Sequence, residues 1–211
     1  MNEIMPSSGE QIKNLRKSRE QRELMNSLRV HPDTKENARG GSVRAAVSEV
    51  TIPGDFAQFG VFKGSTAKII VSLMTGDRKL YLFDSFEGLP EDWSRKQKAG
   101  AFKLSEAEIP KFKSKRVVLH KGWFIDKVPE WAAQATAPLA FVHLDADLYS
   151  STVDALFNID RLILKDTILL FDEYGRTDHE HRALLDWSAK FDRKFEYLWR
   201  SIRQQVCVRV N

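Results

Sequence analysis

The sequence is poor in cysteine, in long apolar runs and in repeats. Cys207 is the one cysteine, so an internal disulfide framework is excluded and a reducing compartment is expected. No window approaches the roughly 18 apolar residues of a membrane-spanning helix. The opening stretch, MNEIMPSSGEQIKNLRKSRE, lacks the apolar core of a secretory signal. A cytoplasmic protein without a membrane partner is therefore expected. No low-complexity segment interrupts the chain. The excess of positive charge is small: +4 net, with an isoelectric point near 9.1. That fits a solvated surface better than a nucleic-acid footprint.

What is present is an ordinary globular composition, 42% hydrophobic and 29% charged over 211 residues. That length suits one α/β domain with a short extension. Ser8 and Gln11 have the spacing of a helix capping box. Ile12, Leu15, Leu24, Met25 and Leu28 then make an imperfect helical stripe. The segment 1–42 reads as a helical extension, either lying on the surface or serving as a lid or dimer arm. His31-Pro32-Asp33 and Gly40-Gly41 break the chain. Val43, Ala46, Val47 and Val50 fit one face of a short helix. From 43 to 211 strand and helix patterns alternate. Strands are expected at 55–59, 80–83, 116–119, 140–144 and 167–171. Helices are expected at 65–74, 128–134, 152–164 and 180–191, with a turn of helix within 105–112. An antiparallel pair at 196–199 and 205–210 closes the chain. Repeated βα units imply a doubly wound parallel sheet with ligands at its carboxyl edge.

The centre of the pattern is FVHLDADLYSST, residues 141–152. Its apolar strand runs into Asp145 and Asp147. A second acidic strand end follows at Asp172 and Glu173. Asp145, Asp172 and Glu173 supply oxygen ligands of the kind Mg²⁺ or Ca²⁺ takes; solvated strand-end acids are the plainer reading. Asp147 reads as a cap or support for the next helix. Between Gly60 and Gly64 a glycine turn opens a helix, where the backbone can approach an anionic ligand. The spacing is not the dinucleotide G-x-G-x-x-G. Asp84 ends the next strand and can accept from both ribose hydroxyls of a nucleoside or cap its loop with Ser85. Of the histidines, His31 reads as surface and His143 as a satisfied core residue. His120 is placed to approach a nucleoside base. His179 and His181 are either general bases or helix-start decoration.

Several segments occur together in order: DFAQFGVFKG from Asp55, FDSFEGLP from Phe83, KGWF from Lys121, LDADLYSST from Leu144 and FDEYG from Phe171. From about residue 43 onward the chain resembles the macrocin O-methyltransferase family. That family is a branch of the class I S-adenosylmethionine-dependent methyltransferases. The resemblance implies a Rossmann-like seven-stranded sheet, mostly parallel with one antiparallel C-terminal strand. It implies S-adenosylmethionine held by Gln58, Gly60, Val61, Phe62, Gly64 and Ser65 of the turn. Asp84, Ser85, Gly122, Trp123, Phe124 and Asp145 would complete that seat. It implies a divalent metal, Mg²⁺ by analogy, on Asp145, Asp172 and Glu173, and a hydroxyl acceptor on a sugar or other natural product. Gln58 stands where relatives carry an acid, and Glu173 where they often carry Asp. The segment between Pro90 and Arg116 is shorter and less helical than expected for the family.

The expected chemistry is in-line methyl transfer from a sulfonium to an acceptor oxygen, with Asp145, His179 or His181 taking the proton. The competing reading, kept open by Gln58, is a non-catalytic cofactor-binding module working through a protein partner. A nucleic-acid methyltransferase is disfavoured because no Asn/Asp-Pro-Pro-aromatic motif is present. A homo-oligomer joined through the N-terminal segment stays open.

Overall fold

The computed structural model describes residues 19–34, 40–176 and 178–211. Its centre is a seven-stranded sheet. The strands are β1 (Asp55–Phe59), β2 (Leu80–Asp84), β3 (Val117–Lys121), β4 (Leu139–Leu144), β5 (Ile163–Phe171), β6 (Phe195–Arg200) and β7 (Val206–Val210). Their order is β3-β2-β1-β4-β5-β7-β6. The first five run parallel, and β7 is antiparallel to both β5 and β6. The order reverses between β1 and β4, which is where an α/β sheet opens a crevice for ligands.

The six residues of β4, LAFVHL, are all buried. A strand covered on both faces needs such a continuous apolar run. Six described α-helices surround the sheet: α1 (Arg19–Ser27), α2 (Gly41–Ser48), α3 (Ser65–Leu73), α4 (Phe124–Gln134), α5 (Tyr149–Asn158) and α6 (His179–Phe191). On one face Val43, Ala46, Ala67 and Ile70 of α2 and α3 pack against Phe56, Phe141 and Leu170. On the other, Val128, Trp131, Leu156 and Trp187 of α4, α5 and α6 pack against Phe59, Val142 and Phe171.

The expected elements recur with corrections. Gly41 opens α2 instead of breaking the chain, and Gly40 is its N-cap. The helix expected from residue 128 begins at Phe124, with Pro129 inside it. The helix expected through residue 164 stops at Asn158. A 3₁₀ turn, Asp160–Leu162, follows, and Leu164 belongs to β5. Asp160 accepts from Trp187 Nε1 and from Arg193, which fixes that turn against α6 and the loop after it. Residues 105–112 form turns and no helix.

Ser8, Gln11, Ile12 and Leu15 lie outside the described residues. Helix α1 buries Met25 in the core, and Gln21 Nε2 donates to the Tyr174 carbonyl at 2.6 Å. His31, expected on the surface, is half-buried with its ring 5.1 Å from that of Trp199. No described helix is long and apolar enough to cross a membrane.

Candidate active site

The carboxyl ends of β1, β2, β4 and β5 converge because the backbone ladder continues past the strands. Gly60 N–H donates to Phe83 O, Asp145 N–H to Phe59 O, and Asp172 N–H to Leu144 O, at 2.9–3.0 Å. Gly60 has φ of 87°, and a Cβ there would lie 1.9 Å from the Asp145 carbonyl oxygen. Only glycine lets the turn after β1 come that close to the end of β4. Gly64, at φ 73°, plays the same part where the turn enters α3 beside Pro110 and Phe112.

Above these ends lies a cavity of about 610 Å³. Of the expected cofactor residues, Gly60, Val61, Phe62, Asp84, Ser85, Trp123, Phe124 and Asp145 line it. Gln58, Gly64, Ser65 and Gly122 do not. Gln58 is 1% exposed, and its Nε2 donates to the Gly60 carbonyl at 2.7 Å. It braces the turn from below. Ser65 is exposed on the first turn of α3.

Asp84 is anchored by the chain itself. Its Oδ2 accepts from the N–H groups of Val61 and Phe62, both at 2.8 Å, and its Oδ1 from Phe86 N–H at 2.7 Å. A carboxylate offers about four lone-pair sites, so roughly one is left for a ligand. Ser85 is used locally too: its Oγ accepts from Glu87 N–H.

The opposite wall is acidic. Burial, then Asp172, Asp147, Glu173 and Asp84, push the Asp145 carboxyl well above the usual carboxylate range. Burial and Asp172 raise Asp147 to about 7 and Glu173 to about 7, against the pull of Arg176. Asp147 lines the cavity at φ 59°, and the N-cap of α5 is Leu148. It is therefore a wall residue and not the cap expected of it. Glu173 also lines the cavity, 3.2 Å from Arg176. Asp172 turns aside: Gln205 Nε2 donates to it, and it lines a smaller polar cavity of about 100 Å³ with Ser42, Thr66 and Arg203. Burial favours its neutral form, but His143, Gln205 and Arg176 outweigh that and hold it below its usual range.

The expected metal set is thus only partly assembled. Among the described residues, the group whose donor atoms come within 4.8 Å of one another is His143, Asp145 and Asp172. Glu173 stands beside it on the cavity wall. His143 is fully buried but not satisfied as expected: neither ring nitrogen has a hydrogen-bond partner among the described residues, and Nε2 lies 3.7 Å from Asp172 Oδ1. Two carboxylates, a third close by and a buried imidazole beside one of them fit a divalent cation as a donor set.

His179 and His181 are not brought to the cavity. His179 Nδ1 accepts from Tyr149 N–H at 2.9 Å, and burial lowers its pKa to about 4. His181 Nδ1 lies 2.8 Å from the Tyr174 hydroxyl, also buried with its pKa lowered. Both tie α6 to its neighbours. His120 stacks on Phe83 at 4.8 Å, among Tyr81 and Trp131, and does not face the cavity either.

Residues that sequence reasoning missed include Trp93, Gln97 and Phe102 from the loop after β2, Asp154 on α5, and Arg176. Burial, Asp126 and Glu91 raise the Asp154 carboxyl to about 6. An i+3 spacing from the lining residue Ser151 to Asp154 was the one available signal. The loop residues carried none.

A family model described as macrocin-O-methyltransferase (TylF) matches residues 37–194. A demethyldecarbamoylnovobiocin O-methyltransferase from Streptomyces niveus is 27% identical over 177 residues, 72% of this chain and 65% of that protein. The 8-demethyl-8-(2,3-dimethoxy-alpha-L-rhamnosyl)-tetracenomycin-C 4'-O-methyltransferase of Streptomyces olivaceus is 28% identical over 160 residues, 66% of this chain and 60% of that one. The chain therefore spans a little under two thirds of the curated relatives it matches. Among solved structures, the O-methyltransferase NovP aligns with a TM-score of 0.66 at 26% identity, covering 81% of this chain and 78% of that one. The calicheamicin methyltransferase CalS11 aligns at 0.70 with 17% identity, covering 99% and 94%, a likeness of fold alone.

Proposed function

The chain belongs to the macrocin-O-methyltransferase family, and from that premise we propose that it is an S-adenosylmethionine-dependent O-methyltransferase. Its acceptor is a hydroxyl on a sugar or other natural product. The observation that carries this reading is one cavity of about 610 Å³ with the glycine turn and Asp84 at one wall and Asp145, Asp147 and Glu173 at the other. That volume suits two small reactants held side by side.

In this reading the turn Gly60–Phe62, Asp84 and the Trp123–Phe124 corner seat the cofactor. Asp84 accepts from one ribose hydroxyl, since its other lone pairs hold the turn. Trp123 and Phe124 offer apolar surface to the base. The ammonium and carboxylate of the methionine end suit the polar cavity lined by Ser42, Thr66 and Arg203. S-Adenosylmethionine supplies a methyl group already activated on a sulfonium. The protein's main contribution is then to bring the acceptor oxygen into line with it. Asp145 takes the acceptor proton. It does so from its ionised form, which burial among other carboxylates makes a stronger proton acceptor than an ordinary carboxylate. Asp145, Asp172 and His143, with Glu173 beside them, would hold a divalent cation, Mg²⁺ by preference. There it would lower the pKa of the acceptor hydroxyl and fix its oxygen.

We assign residues 43–211 to the catalytic domain and 1–42 to a helical extension, whose described helix α1 anchors through Met25. The single, buried Cys207 suits a cytoplasmic protein. The test is calorimetry with S-adenosylhomocysteine, followed by transfer of labelled methyl groups to a panel of glycosides. Micromolar binding and cation-stimulated transfer are expected. No binding at millimolar S-adenosylhomocysteine would end the proposal.

A further inference from the structure

We propose that Glu91 and Ser150 form a clasp that holds one wall of the cavity in place, making them positioning residues for the acceptor. The proposal rests on the cavity being the methyl-transfer site. The wall in question runs from Ser85 to Leu104 and supplies Gly88, Leu89, Pro90, Trp93, Gln97 and Phe102 to the cavity lining.

This wall is bonded mainly to itself. Leu89 N–H donates to Ala101 O and Gly100 N–H to Leu89 O. Further out, Trp93 N–H and Ser94 N–H donate to Gln97 O, while Asp92 accepts from Lys98 Nζ and Ala99 N–H. Its two ends are rooted, because Phe86 and Leu104 are buried in the core and Leu104 N–H donates to Phe86 O. Between those roots, the described contacts from the wall to the body are few. On the cofactor side Phe102 meets Phe62 edge-on at 6.0 Å, both rings being more than two-fifths exposed. On the acidic side Ser150 Oγ donates to Glu91 Oε1 at 2.5 Å.

The placement of that second contact gives it a role. Ser150 is the second residue of α5, directly after the acidic strand end, and the next residue, Ser151, lines the cavity. The hydrogen bond therefore ties the wall to the helix that follows Asp145 and Asp147 and carries Ser151 and Asp154 of the cavity lining. A hydrogen bond to a charged acceptor is stronger than a neutral one. Losing it shifts the wall toward an open state by roughly tenfold or more. The clasp holds the acidic end of the wall, while the Phe102–Phe62 contact holds the end beside the cofactor turn, so its loss should reach the acceptor more than the cofactor.

The exposed tip carries Arg95, Lys96 and Lys98, which makes its opening readable by trypsin without any turnover. Cleavage of a transiently opened segment tracks the open population when closing is fast. The experiment compares wild type, Ser150→Ala, Glu91→Gln and Ser150→Thr as full chains, with cut sites mapped by mass. Ser150→Ala is expected to raise the cleavage rate at residues 95–98 about tenfold, with the thermal midpoint unchanged and Ser150→Thr restoring the wild-type rate. With a working acceptor, its KM should rise about tenfold in Ser150→Ala while the KM for S-adenosylmethionine holds. Wild-type cleavage in Ser150→Ala overturns the clasp. So does faster cleavage spread equally over the whole chain, or an equal rise in both KM values. If wild type transfers no methyl group, the functional proposal fails, and the cleavage rates still judge the clasp.

Discussion

The two walls of the cavity both carry carboxylates at strand ends, and they are treated in opposite ways. At the end of β2, Asp84 receives three backbone N–H bonds and is locked into the glycine turn. At the ends of β4 and β5, Asp145, Asp147 and Glu173 have their pKa values raised by burial and by neighbouring carboxylates, with Arg176 pulling down only Asp147 and Glu173 of the three. Desolvated like charges raise each other's pKa. One wall is thus complete as folded. The other is an arrangement of mutually repelling carboxyls that a proton or a cation would relieve.

The largest expected effect breaks the acidic wall. Asp145→Ala should lower methyl transfer by roughly 10²–10⁴-fold, the usual weight of a positioned base or metal ligand. Its thermal midpoint should hold, because burial and the neighbouring carboxyls disfavour the charge of the group removed. An Asp145→Ala protein turning over its true acceptor at the wild-type rate would sink the assignment. The next effect is that of a cation. Asp147 and Glu173 sit at about 7 in the fold, above their unfolded values. The fold therefore binds protons that the unfolded chain releases, and this stability is present at low pH and lost as pH rises through about 7. Without metal the protein should be less stable at pH 8 than at pH 6.5. Mg²⁺ at a hundredfold excess over its Kd should add about 2.7 kcal/mol, or roughly 5–10 °C at this chain length, and more at pH 8 than at 6.5. A midpoint indifferent to Mg²⁺ and to chelator across that range would separate the acidic wall from metal binding.

The difference between the walls also governs what the sequence could reveal. The strand-end positions of Asp84, Asp145, Asp172 and Glu173 were legible because each follows an apolar run that reads as a buried strand, and the carboxyl ends of such strands lie at the crevice. The turn at Gly60 was legible for the same reason. What a strand end does not encode is rotamer and neighbour. Asp172 and Glu173 are adjacent, so they point apart, Asp172 toward Gln205 and Glu173 toward the cavity. A ligand set drawn from strand ends alone therefore could not foresee His143, which reaches the cluster from within β4. Asp147 looked like a helix cap from its spacing, yet its left-handed backbone turns it to the cavity. Trp93 and Phe102 lie in an irregular loop with no period to read.

On the folded wall, the effect to expect is intermediate. Asp84→Asn removes one charge from three backbone donors and one ligand contact. Affinity for S-adenosylhomocysteine should fall by roughly 10–100-fold, matching about 1.5–3 kcal/mol for a charge-assisted hydrogen bond. Unchanged affinity by calorimetry would mean that Asp84 shapes the turn and touches no cofactor. The same variant should keep a response to Mg²⁺, since Asp84 is the weakest of the charges that raise Asp145 and Asp147.

The smallest effect on catalysis is expected at His179, and it tests whether the contrast between the walls is complete. Its Nδ1 is occupied by Tyr149 N–H at the start of α5, and it lies outside the cavity lining. His179→Asn should keep methyl transfer within about threefold. A hundredfold loss would return the proton-accepting role to this residue and take it from Asp145. Its influence should appear in stability instead. Burial lowers its pKa from 6.5 to about 4, so the fold keeps it neutral while the unfolded chain protonates it. That contribution is fully present above pH 6.5 and is lost as pH falls toward 4, by ~3 kcal/mol at most. This is the opposite sign to Asp147 and Glu173. Replacing His179 by Asn should therefore flatten the acid limb of the stability profile and leave the alkaline limb, set by the acidic wall, where it was.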